Sequence, residues 1–369
     1  MKTALIIGGG FAGCTAAYML KEKGFDKVTV IEGSSQLGGG CRTFFHHGHP
    51  YTFGPHHLLI NLNEMYVKDY FEKFLELKEL QHHTLTYVAS DREFYTYPIH
   101  KDEVEQMPDY EKIKNELENL KDVTESKNFE EYWVNSIGET LYNKFIHTYS
   151  EKMWGLKNNQ EIDEFGFSPK GKTLQSGSKQ CFIGQKWIGY PTNLDAYNTY
   201  FDKCVEDCEV IFNKYVKKFD LNNKRVLVED KWLSADVIIN TASLDDVFGH
   251  CYGSLRYIGR DFQKIILPTE TVFPEPYHFV HYANDEPYTR IVEYKKMTGY
   301  KSPHTLIGIE SPSFKNRLYP YPIKSEMLKA QKYMELFPKD CYTLGRMGKY
   351  HYDNMDVIVK DCMKLMEKI

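Results

Sequence analysis

The stretch that most limits the fold is a glycine turn near the N-terminus. Gly8, Gly10 and Gly13 form the pattern G-x-G-x-x-G after the apolar run "TALII" and before "AGCTAAYMLKEKG". Glycines at this spacing allow a tight turn, close approach of the backbone to a pyrophosphate and close helix packing. The N-terminus of the helix then faces the phosphates. The pattern predicts a dinucleotide site that includes Phe11 and Ala12, and the alternative is an ordinary glycine-rich turn.

A carboxylate at the end of the next strand favours the dinucleotide site. The run "KVTVIE" ends at Glu32, roughly twenty residues after the motif, where an acidic side chain accepts hydrogen bonds from a ribose hydroxyl. Strand, helix, second strand and acid therefore occur in the order that a Rossmann-like fold requires.

A second glycine cluster distinguishes between the two common dinucleotides. The segment "EGSSQLGGGCRTF" places Gly33, Gly39 and Gly40 directly after the acid. It resembles the glycine pair of flavoproteins of the amine-oxidase and glutathione-reductase type, which favours FAD over NAD. The C-terminal segment "CYTLGRMGKYHYDNMDVIVKDCMKLMEKI" offers a strand, a Gly-Arg pair, an aromatic cluster and a helix. We expect the first and last segments to meet at one cofactor.

Composition excludes several classes of partner. The 46 basic and 51 acidic residues are mixed along the 369-residue chain, which argues against nucleic-acid binding. No signal peptide is recognisable, and no apolar run approaches the roughly 20 residues of a spanning helix. We therefore expect a cytoplasmic protein without membrane insertion. The eight cysteines are scattered, and the close pair Cys204 and Cys208 lacks zinc-finger partners, so we expect reduced thiols and no metal.

The chain is long enough for more than one lobe. Its patterns predict an α/β protein: a Rossmann-like FAD-binding domain with an inserted helical lobe and an antiparallel-sheet lobe. The predicted division assigns 1–63, 205–255 and 335–369 to the FAD-binding domain and 64–164 to the helical substrate lobe. It assigns 165–204 and 256–334 to a mobile loop and the sheet lobe.

Five further motifs make the resemblance to a family specific. They occur in the family's order, as "FGPHH" at 53–57, "YSEKMWG" at 149–155, "EPYTRIVEYK" at 286–295, "YPYPI" at 319–323 and "GRMGKYHYDNMD" at 345–356. Together with the glycine motifs, they resemble the UDP-galactopyranose mutase family, whose members are flavoenzymes. These enzymes interconvert the pyranose and furanose forms of a nucleotide-linked sugar.

The resemblance implies a reaction without net electron transfer. The flavin, once reduced by NAD(P)H or chemically, attacks the anomeric carbon through N5, expels the nucleotide diphosphate and forms a flavin–sugar adduct. The ring then opens, and a different hydroxyl closes it. The implied product serves surface polysaccharide synthesis, and the implied partner is a nucleotide diphosphate sugar, with a homodimer as the expected assembly.

The resemblance also assigns roles to residues of this chain. Arg290 would bind the diphosphate with its planar fork of donors, although pairing with a local carboxylate such as Glu293 is the alternative. His56 matches the histidine near the flavin ring, and its neighbour His57 is either a cofactor contact or a structural histidine. The hydroxyls of Tyr321 and Tyr352 would assist Arg290. The flavin cofactor would be held by Arg346, Asn354, Met355 and Asp356.

Four residues at helical offsets form the implied nucleotide site. From spacing alone this stripe is equally compatible with a packed core. By resemblance, Phe145 and Tyr149 flank the base, and Trp154 lies beside the sugar and flavin. The stripe consists of Phe145, Tyr149, Ser150 and Trp154.

Several positions depart from the family pattern. The loop arginine that closes over the diphosphate is replaced by Lys170, with Lys172 as a near alternative, and lysine lacks the bidentate fork. A loop tyrosine falls at Gly177, and the second histidine of "HxxH" is Leu59. Two asparagines near base and sugar become Thr84 and His281, and an aspartate near the flavin becomes Asn354.

These departures lead us to expect the same reaction on a sugar other than UDP-galactose. A deoxyhexose or a heptose carried on TDP or GDP is the hypothesis that the changes favour, and UDP-galactose itself is the first alternative. An FAD-dependent oxidoreductase of the amine-oxidase type is the second. A protein that binds the sugar nucleotide without isomerising it is the third.

Overall fold

The computed structural model describes residues 1–164 and 174–369. The strands in these ranges are β1 (Thr3–Ile7), β2 (Lys27–Ile31), β3 (Phe44–His46), β4 (His49–Tyr51), β5 (Leu58–Asn61), β6 (Leu77–Glu79), β7 (His83–Val88), β8 (Glu93–Tyr97), β9 (Lys186–Pro191), β10 (Glu209–Ile211), β11 (Val216–Asp220), β12 (Arg225–Val228), β13 (Lys231–Ser234), β14 (Val237–Asn240), β15 (Tyr257–Leu267), β16 (Tyr277–Tyr282), β17 (Arg290–Glu293), β18 (Thr305–Ser313), β19 (Tyr319–Pro320) and β20 (Cys341–Thr343). The helices are α1 (Phe11–Glu22), α2 (Tyr66–Glu72), α3 (Lys101–Val104), α4 (Tyr110–Glu118), α5 (Phe129–Ile137), α6 (Glu139–Phe145), α7 (His147–Trp154), α8 (Ala196–Cys204), α9 (Leu244–Val247), α10 (Lys295–Thr298), α11 (Lys324–Met334), α12 (Gly345–Gly348) and α13 (Met355–Lys368).

The first sheet is the parallel sheet that the glycine motif predicts. Its strand order is β10-β2-β1-β14-β20, and every neighbouring pair is parallel. Strands β1, β2 and β14 are almost continuously buried because helices cover one face and the β11-β12-β13 sheet covers the other. Strands buried on both faces appear in the sequence as continuous apolar runs rather than as alternation. The predicted α/β class with a Rossmann-like domain is confirmed.

The two ends of the chain meet in this sheet. Strand β14 lies between β1 and β20, and helix α13 packs against α1. The loops that follow β1 and β20 therefore open at the same edge of the sheet, since carboxyl ends of parallel strands lie side by side. This arrangement brings residues 8–13 close to residues 345–355.

A second sheet of seven strands lies beside the helices of the middle segment. Its order is β19-β15-β18-β17-β16-β7-β8, and its pairs are antiparallel except β16 with β7. Strands β7 and β8 come from the 64–164 segment that the sequence division treats as helical. The stretch "HTLTYV" alternates between partly and fully buried positions, and this period of two belongs to a strand.

The 165–204 segment also contributes to more than one layer. Strand β9 pairs with β5 and β6, and α8 packs against α1 of the parallel sheet. The loop residues Lys170 and Lys172 lie outside the described residues. The division into three sequence domains therefore stays a prediction, and the described lobes share strands and helices across its boundaries.

Two smaller findings bear on the sequence expectations. All eight cysteines lie in the described part of the chain, and each is a free thiol. Among the helices of residues 1–164 and 174–369, none combines the length and the apolar character that crossing a bilayer requires.

Candidate functional site

The glycine turn, residues 8–13, is packed so closely that side chains are excluded at two of its positions. Gly8 has a φ of +98°, a conformation that glycine adopts at little cost. A Cβ at Gly13 would overlap the carbonyl oxygen of Gly8. By contrast, no atom lies within 4 Å of a Cβ built at Gly10. The turn is closed toward the protein and open at Gly10, as a site for a phosphate group requires.

Glu32 lies beside the turn, as its position after β2 predicts. Its two carboxylate oxygens accept hydrogen bonds from the backbone N–H groups of Gly9 and Ser34, both at 2.7 Å. Each carboxylate oxygen has a second lone pair, so a ribose hydroxyl can still donate to Glu32. The next residue, Gly33, lies under the ring of Tyr215, where a Cβ would meet ring carbons.

The second glycine cluster packs directly against the first. The N–H of Gly38 donates to the carbonyl of Gly9 at 2.8 Å, and Gly10 and Gly38 form a parallel bridge. Phe11 stacks on Tyr200 with ring centroids 5.4 Å apart, which holds the start of α1 in place. The two glycine segments thus form one continuous backbone surface.

A cavity of about 510 Å³ extends from this surface to the seven-stranded sheet. It joins both glycine segments, the "FGPHH" segment, the start of β17 and the residues around α12. Of the residues predicted from sequence, it is lined by Gly10, Phe11, Ala12, Gly39, Gly40, His56, His57, Arg290, Arg346, Tyr352, Asn354 and Met355. Leu59, the replacement of a family histidine, also lines it.

Other predicted residues lie outside this lining. Asp356 lies in the first turn of α13 and is 3% exposed, and burial raises the pKa of its carboxyl group. Lys170 lies outside the described residues. The remaining predicted residues that do not line the cavity are Gly8, Gly13, Glu32, Gly33, Thr84, Phe145, Tyr149, Ser150, Trp154, His281 and Tyr321.

Arg290 is held by a carboxylate that sequence reasoning missed. Its Nε and Nη2 donate to the two oxygens of Glu310 at 2.9 and 2.6 Å. Arg290 on β17 and Glu310 on β18 are direct register partners. The proposed local partner Glu293 is wrong, because its carboxylate accepts from the N–H groups of Val272 and Phe273 and from Thr305.

The ion pair fixes both the charge and the orientation of Arg290. Burial by itself lowers the pKa of this guanidinium, but the Glu310 carboxylate outweighs burial and raises the pKa above its ordinary value. Arg290 binds Glu310 side-on through Nε and Nη2, and its remaining nitrogen, Nη1, takes no part in this pair. Arg290 is therefore a rigid, permanently charged donor in the cavity wall.

Two tyrosines and three arginines form what we call the arginine–tyrosine wall. The rings of Tyr319 and Tyr352 lie 5.0 Å apart, and the guanidinium carbon of Arg346 lies 5.0 and 4.7 Å from their centroids. Arg260 covers Tyr319 at 4.7 Å. The wall consists of Arg260, Arg290, Arg346, Tyr319 and Tyr352.

Two members of the wall were missed from sequence. Tyr319 belongs to the "YPYPI" motif and lines the cavity, whereas the sequence favoured Tyr321. Arg260 is only 4% exposed, and its Nη1 donates to the Gly259 carbonyl at 2.6 Å. An arginine inside the apolar start of β15 was the available signal, since arginine is seldom fully buried without a partner.

Charges in the wall alter the acidity of nearby groups. Burial and the neighbouring Tyr319 raise the pKa of Tyr352 and the three arginines of the wall oppose the rise, so the resulting pKa is about 12. Burial, together with the positive charges of Arg346 and Arg290, lowers the pKa of His56 to about 3. His56 is therefore neutral at physiological pH.

A polar group lies next to the wall on the seven-stranded sheet. His281 on β16 is the register partner of Arg290, and its ring lies 5.3 Å from that of Tyr149 and 5.9 Å from that of Tyr97. Thr84 is fully buried, with its hydroxyl 3.6 Å from the thiol of Cys181. Tyr149 and His281 are thus brought together beside Arg290, whereas Thr84 on β7 is the register partner of Tyr97.

The rest of the helical stripe is part of a packed core. Phe145 and Trp154 are 2% and 4% exposed and belong to the apolar cluster of the helical segment. Trp154 contacts Tyr319 and Tyr321 at 6.5 and 6.2 Å between centroids, so it supports the wall from behind. Ser150 is also buried. The ring of Tyr321 lies under Arg256, 4.5 Å from its guanidinium carbon.

Comparison with known proteins agrees with this arrangement. Residues 6–74 match the NAD(P)-binding Rossmann-like domain, and residues 144–352, more than half of the chain, match the family described as UDP-galactopyranose mutase. The chain belongs to the UDP-galactopyranose mutase family. Mutases are isomerases, and this family member is accordingly an isomerase.

Relatives in the mutase family carry two different names. A probable UDP-galactopyranose mutase from Klebsiella pneumoniae is 24% identical over 100% of this chain and 94% of its own length. A dTDP-fucopyranose mutase from Escherichia coli is 23% identical over 99% of this chain and 97% of its own. Among solved structures, a reduced UDP-galactopyranose mutase has a TM-score of 0.84 at 17% identity, covering 100% of this chain and 93% of that one. This similarity shows the fold.

Proposed function

We propose that this family member is a flavin-dependent mutase that interconverts the pyranose and furanose forms of a nucleotide diphosphate sugar. The observation that carries the proposal is a single cavity lined at one end by a dinucleotide-type glycine turn and at the other by Arg290, Arg346 and Tyr352. A cofactor surface and an anion surface therefore face the same space, as a reaction between the two ligands requires.

The residues of the cavity fit FAD. Gly10 leaves room for a pyrophosphate at the start of α1, and Glu32 has the place and the lone pairs for a ribose. The second glycine segment and Met355 at the start of α13 extend the site beyond the length of the first turn. When bound and reduced, the flavin would supply a nucleophile for the anomeric carbon.

The protein would bind and stabilise the departing diphosphate. Arg290 is held rigid by Glu310, and preorganised donors stabilise developing negative charge without having to reorient. Arg346 and the hydroxyls of Tyr319 and Tyr352 would supply further donors from the same wall. We assign a supporting role to Lys170 as the loop cation that completes this set.

His56 would contact the cofactor and the reacting sugar as a neutral imidazole. Its lowered pKa means that it adds no positive charge beside the two arginines. A neutral ring can donate one hydrogen bond and accept another, so His56 can orient a polar group without competing for the diphosphate.

We propose that the sugar differs from galactose and that the nucleotide is TDP or GDP. Leu59 presents an apolar side chain to the cavity where the family pattern has a histidine. His281, beside Arg290, and Thr84 replace two amides of the family pattern. Sites that select by hydrogen bonds reject ligands that leave buried polar groups unpaired. A deoxyhexose, which lacks a hydroxyl, or a heptose suits this altered set of contacts, and the product would serve surface polysaccharide synthesis.

The cofactor is tested first. Purified protein should be yellow and should release FAD on denaturation, whereas a colourless protein that binds NAD would contradict the proposal. Dithionite-reduced protein should convert a nucleotide-linked pyranose into its furanose, and oxidised protein should be nearly inactive. Equal turnover in the two redox states would exclude the flavin as the nucleophile.

The substrate is tested by a screen of the reduced protein against UDP-, TDP- and GDP-linked pyranoses, with furanose formation followed by NMR. We expect a TDP- or GDP-linked deoxyhexose or heptose to be the efficient substrate. Efficient turnover of UDP-galactose with the others inert would show that Leu59, Thr84 and His281 do not change the specificity.

A further inference from the structure

Three histidines from distant parts of the chain meet at one side of the cavity. We call them the three-histidine cluster: His57 after the "FGP" segment, His82 just before β7, and His278 on β16. Their metal-ligating nitrogen atoms all lie within 4.8 Å of one another. His57 and His82 line the cavity, while His278 is 3% exposed. No sequence spacing suggested this group, because its members are far apart along the chain.

The backbone places His278 in the cluster by an irregularity in the sheet. Strands β7 and β16 are parallel, and their register shifts between Tyr277 and Phe279. An extra residue at such a bulge turns its side chain away from the regular alternation. His278 is that residue, and its Nε2 lies 3.3 Å from the Nδ1 of His82.

This spacing suits tetrahedral coordination. Zinc binds histidine nitrogen at about 2.0–2.1 Å, so two nitrogens of a tetrahedral site lie about 3.3 Å apart. The His82–His278 distance already has this value. A nitrogen of His57 lies within 4.8 Å of the other two, so rotation of its half-buried ring would supply the third corner of a tetrahedron.

We propose that the three-histidine cluster binds one divalent transition-metal ion, with zinc as the best-fitting ion. Imidazole ligands suit zinc and its neighbours in the transition series and not magnesium or calcium, which prefer oxygen. Three protein nitrogens leave a fourth position, which faces the cavity because His57 and His82 line it. A water molecule or an oxygen of a cavity ligand occupies that position.

Metal binding requires one proton to move. Without metal, one of the rings of His82 and His278 donates a proton to the other across the 3.3 Å contact. The metal takes lone pairs from both nitrogens, so the shared proton leaves that position for the ring's other nitrogen or for solvent. No oxidant or reductant takes part. This site goes beyond the proposed mutase activity and does not depend on it.

The test uses the protein as purified, with its cofactor, after chelator treatment and gel filtration. Zinc chloride is titrated in, and bound zinc is counted by mass spectrometry of the metal. We expect one tightly bound zinc ion per chain, and X-ray absorption at the zinc edge should show three imidazole nitrogens at about 2.0 Å.

Variants separate the cluster from other histidines. Loss of a residue that only hydrogen-bonds a metal ligand weakens metal binding roughly 10- to 100-fold. His278→Gln and His57→Gln each remove a ligand itself, so each should weaken zinc binding by at least that factor. His83→Gln is the matched control, because His83 is adjacent to His82 but lies outside the cluster. It should bind zinc as the wild type does. Zinc should raise the melting temperature of the wild type and of His83→Gln only.

Either of two results would overturn the site. One is a wild type that takes up no more zinc than His57→Gln. The other is a bound zinc whose absorption spectrum shows fewer than three imidazoles. If His278→Gln does not fold, His57→Gln and the spectrum of the wild type decide the question, since the half-buried His57 tolerates replacement.

Discussion

The glycine turn and the arginine–tyrosine wall face the same cavity, but they are built in different ways. The turn and its carboxylate come from residues 8–32, and most of its contacts are made by backbone atoms. The wall collects side chains from β15, β17, β19, α12 and the segment before α13. Changes in the turn should therefore affect folding or cofactor binding, whereas changes in the wall should affect turnover and, at the buried Arg290–Glu310 pair, stability as well.

The largest effect is expected within the glycine turn itself. Gly13→Ala places a Cβ against the Gly8 carbonyl, where the backbone itself must move, so the cost should reach or exceed the upper end of the about 1–3 kcal/mol that overpacking usually costs. We expect little folded protein. Gly10→Ala has open space for its Cβ, so it should fold normally but lose FAD, because the methyl group stands where the backbone approaches the pyrophosphate.

Circular dichroism melting and the flavin absorbance of purified protein check both variants. A Gly13→Ala protein as stable as the wild type would contradict the packing argument. A Gly10→Ala protein that keeps its flavin would show that the pyrophosphate does not bind at Gly10.

The second prediction concerns the centre of the wall. Arg290→Ala should lower kcat/KM by about 2–4 kcal/mol, which is roughly 30- to 1,000-fold, by analogy with the loss of an oxyanion donor. It also leaves Glu310, which is 1% exposed, without its partner, and breaking a buried pair in this way costs about 3–5 kcal/mol of unfolding free energy. Steady-state kinetics and urea unfolding measure the two losses separately.

A conservative variant separates the two roles of Arg290. Arg290→Lys keeps a positive charge opposite Glu310 but loses the fork, so turnover should fall more than stability. Arg225→Lys, a surface arginine paired with Asp220, is the control and should change neither. If turnover in Arg290→Ala were undiminished, Arg290 would contribute only to the stability of the fold and not to the reaction.

The third prediction compares two tyrosines of neighbouring motifs. Tyr352→Phe removes a hydroxyl from the cavity wall and should lower kcat/KM by about 1.5 kcal/mol, roughly tenfold, as for a hydrogen bond to a charged group. Tyr321→Phe should leave kcat/KM unchanged, because its ring packs beneath Arg256 outside the cavity lining. A larger loss of kcat/KM in Tyr321→Phe than in Tyr352→Phe would show that Tyr321, and not Tyr352, acts in the site.

The smallest effect, taken per pH unit, is a pH dependence of stability. The folded pKa of His56 is about 3, below the ordinary 6.5, so the unfolded state binds more protons between these values. Stability is complete above about pH 6.5 and is lost as the pH falls toward 3, by at most about 1.4 kcal/mol per pH unit. Urea unfolding at several pH values should show that the unfolding free energy of ligand-free His56→Gln changes less with pH than that of ligand-free wild type.

His351 provides a control of opposite sign. Its hydrogen bond to Asp353 raises the pKa of this histidine, so its contribution is present at low pH and declines as the pH rises through the folded pKa. His351→Gln should therefore steepen the loss of stability on acidification. Equal slopes in the His56 and His351 variants would contradict both assignments.

Sequence patterns predicted the turn because its determinants are local. The strand, the three glycines and Glu32 lie within one βαβ segment, and each has a backbone reason for its residue type. Helix and strand periods also located β14, α13 and the strands after residue 256. The strand β7 was missed because its short alternating run stands before a long series of helices.

The wall could not be derived in the same way. The pairing of Arg290 with Glu310 depends on the register of β17 and β18, and the sequence offers nearer carboxylates such as Glu293. Phe145 and Trp154 share a helical stripe with Tyr149, but only the packed structure separates the core positions from those near Arg290. The place of Arg260 in the wall could not be predicted from sequence, because it depends on how β15 positions Arg260 over the ring of Tyr319.

The charges of the wall do not balance. The charge of Arg290 is balanced by Glu310, while among the described residues neither Arg260 nor Arg346 has a carboxylate within ion-pair distance. Two positive charges thus remain beside the cavity, and such a surface exchanges whatever anions the solution contains. Sulfate and phosphate ions should therefore compete with a diphosphate for this surface. The apparent affinity for a diphosphate should be weaker in sulfate or phosphate buffer than in a zwitterionic buffer of equal ionic strength.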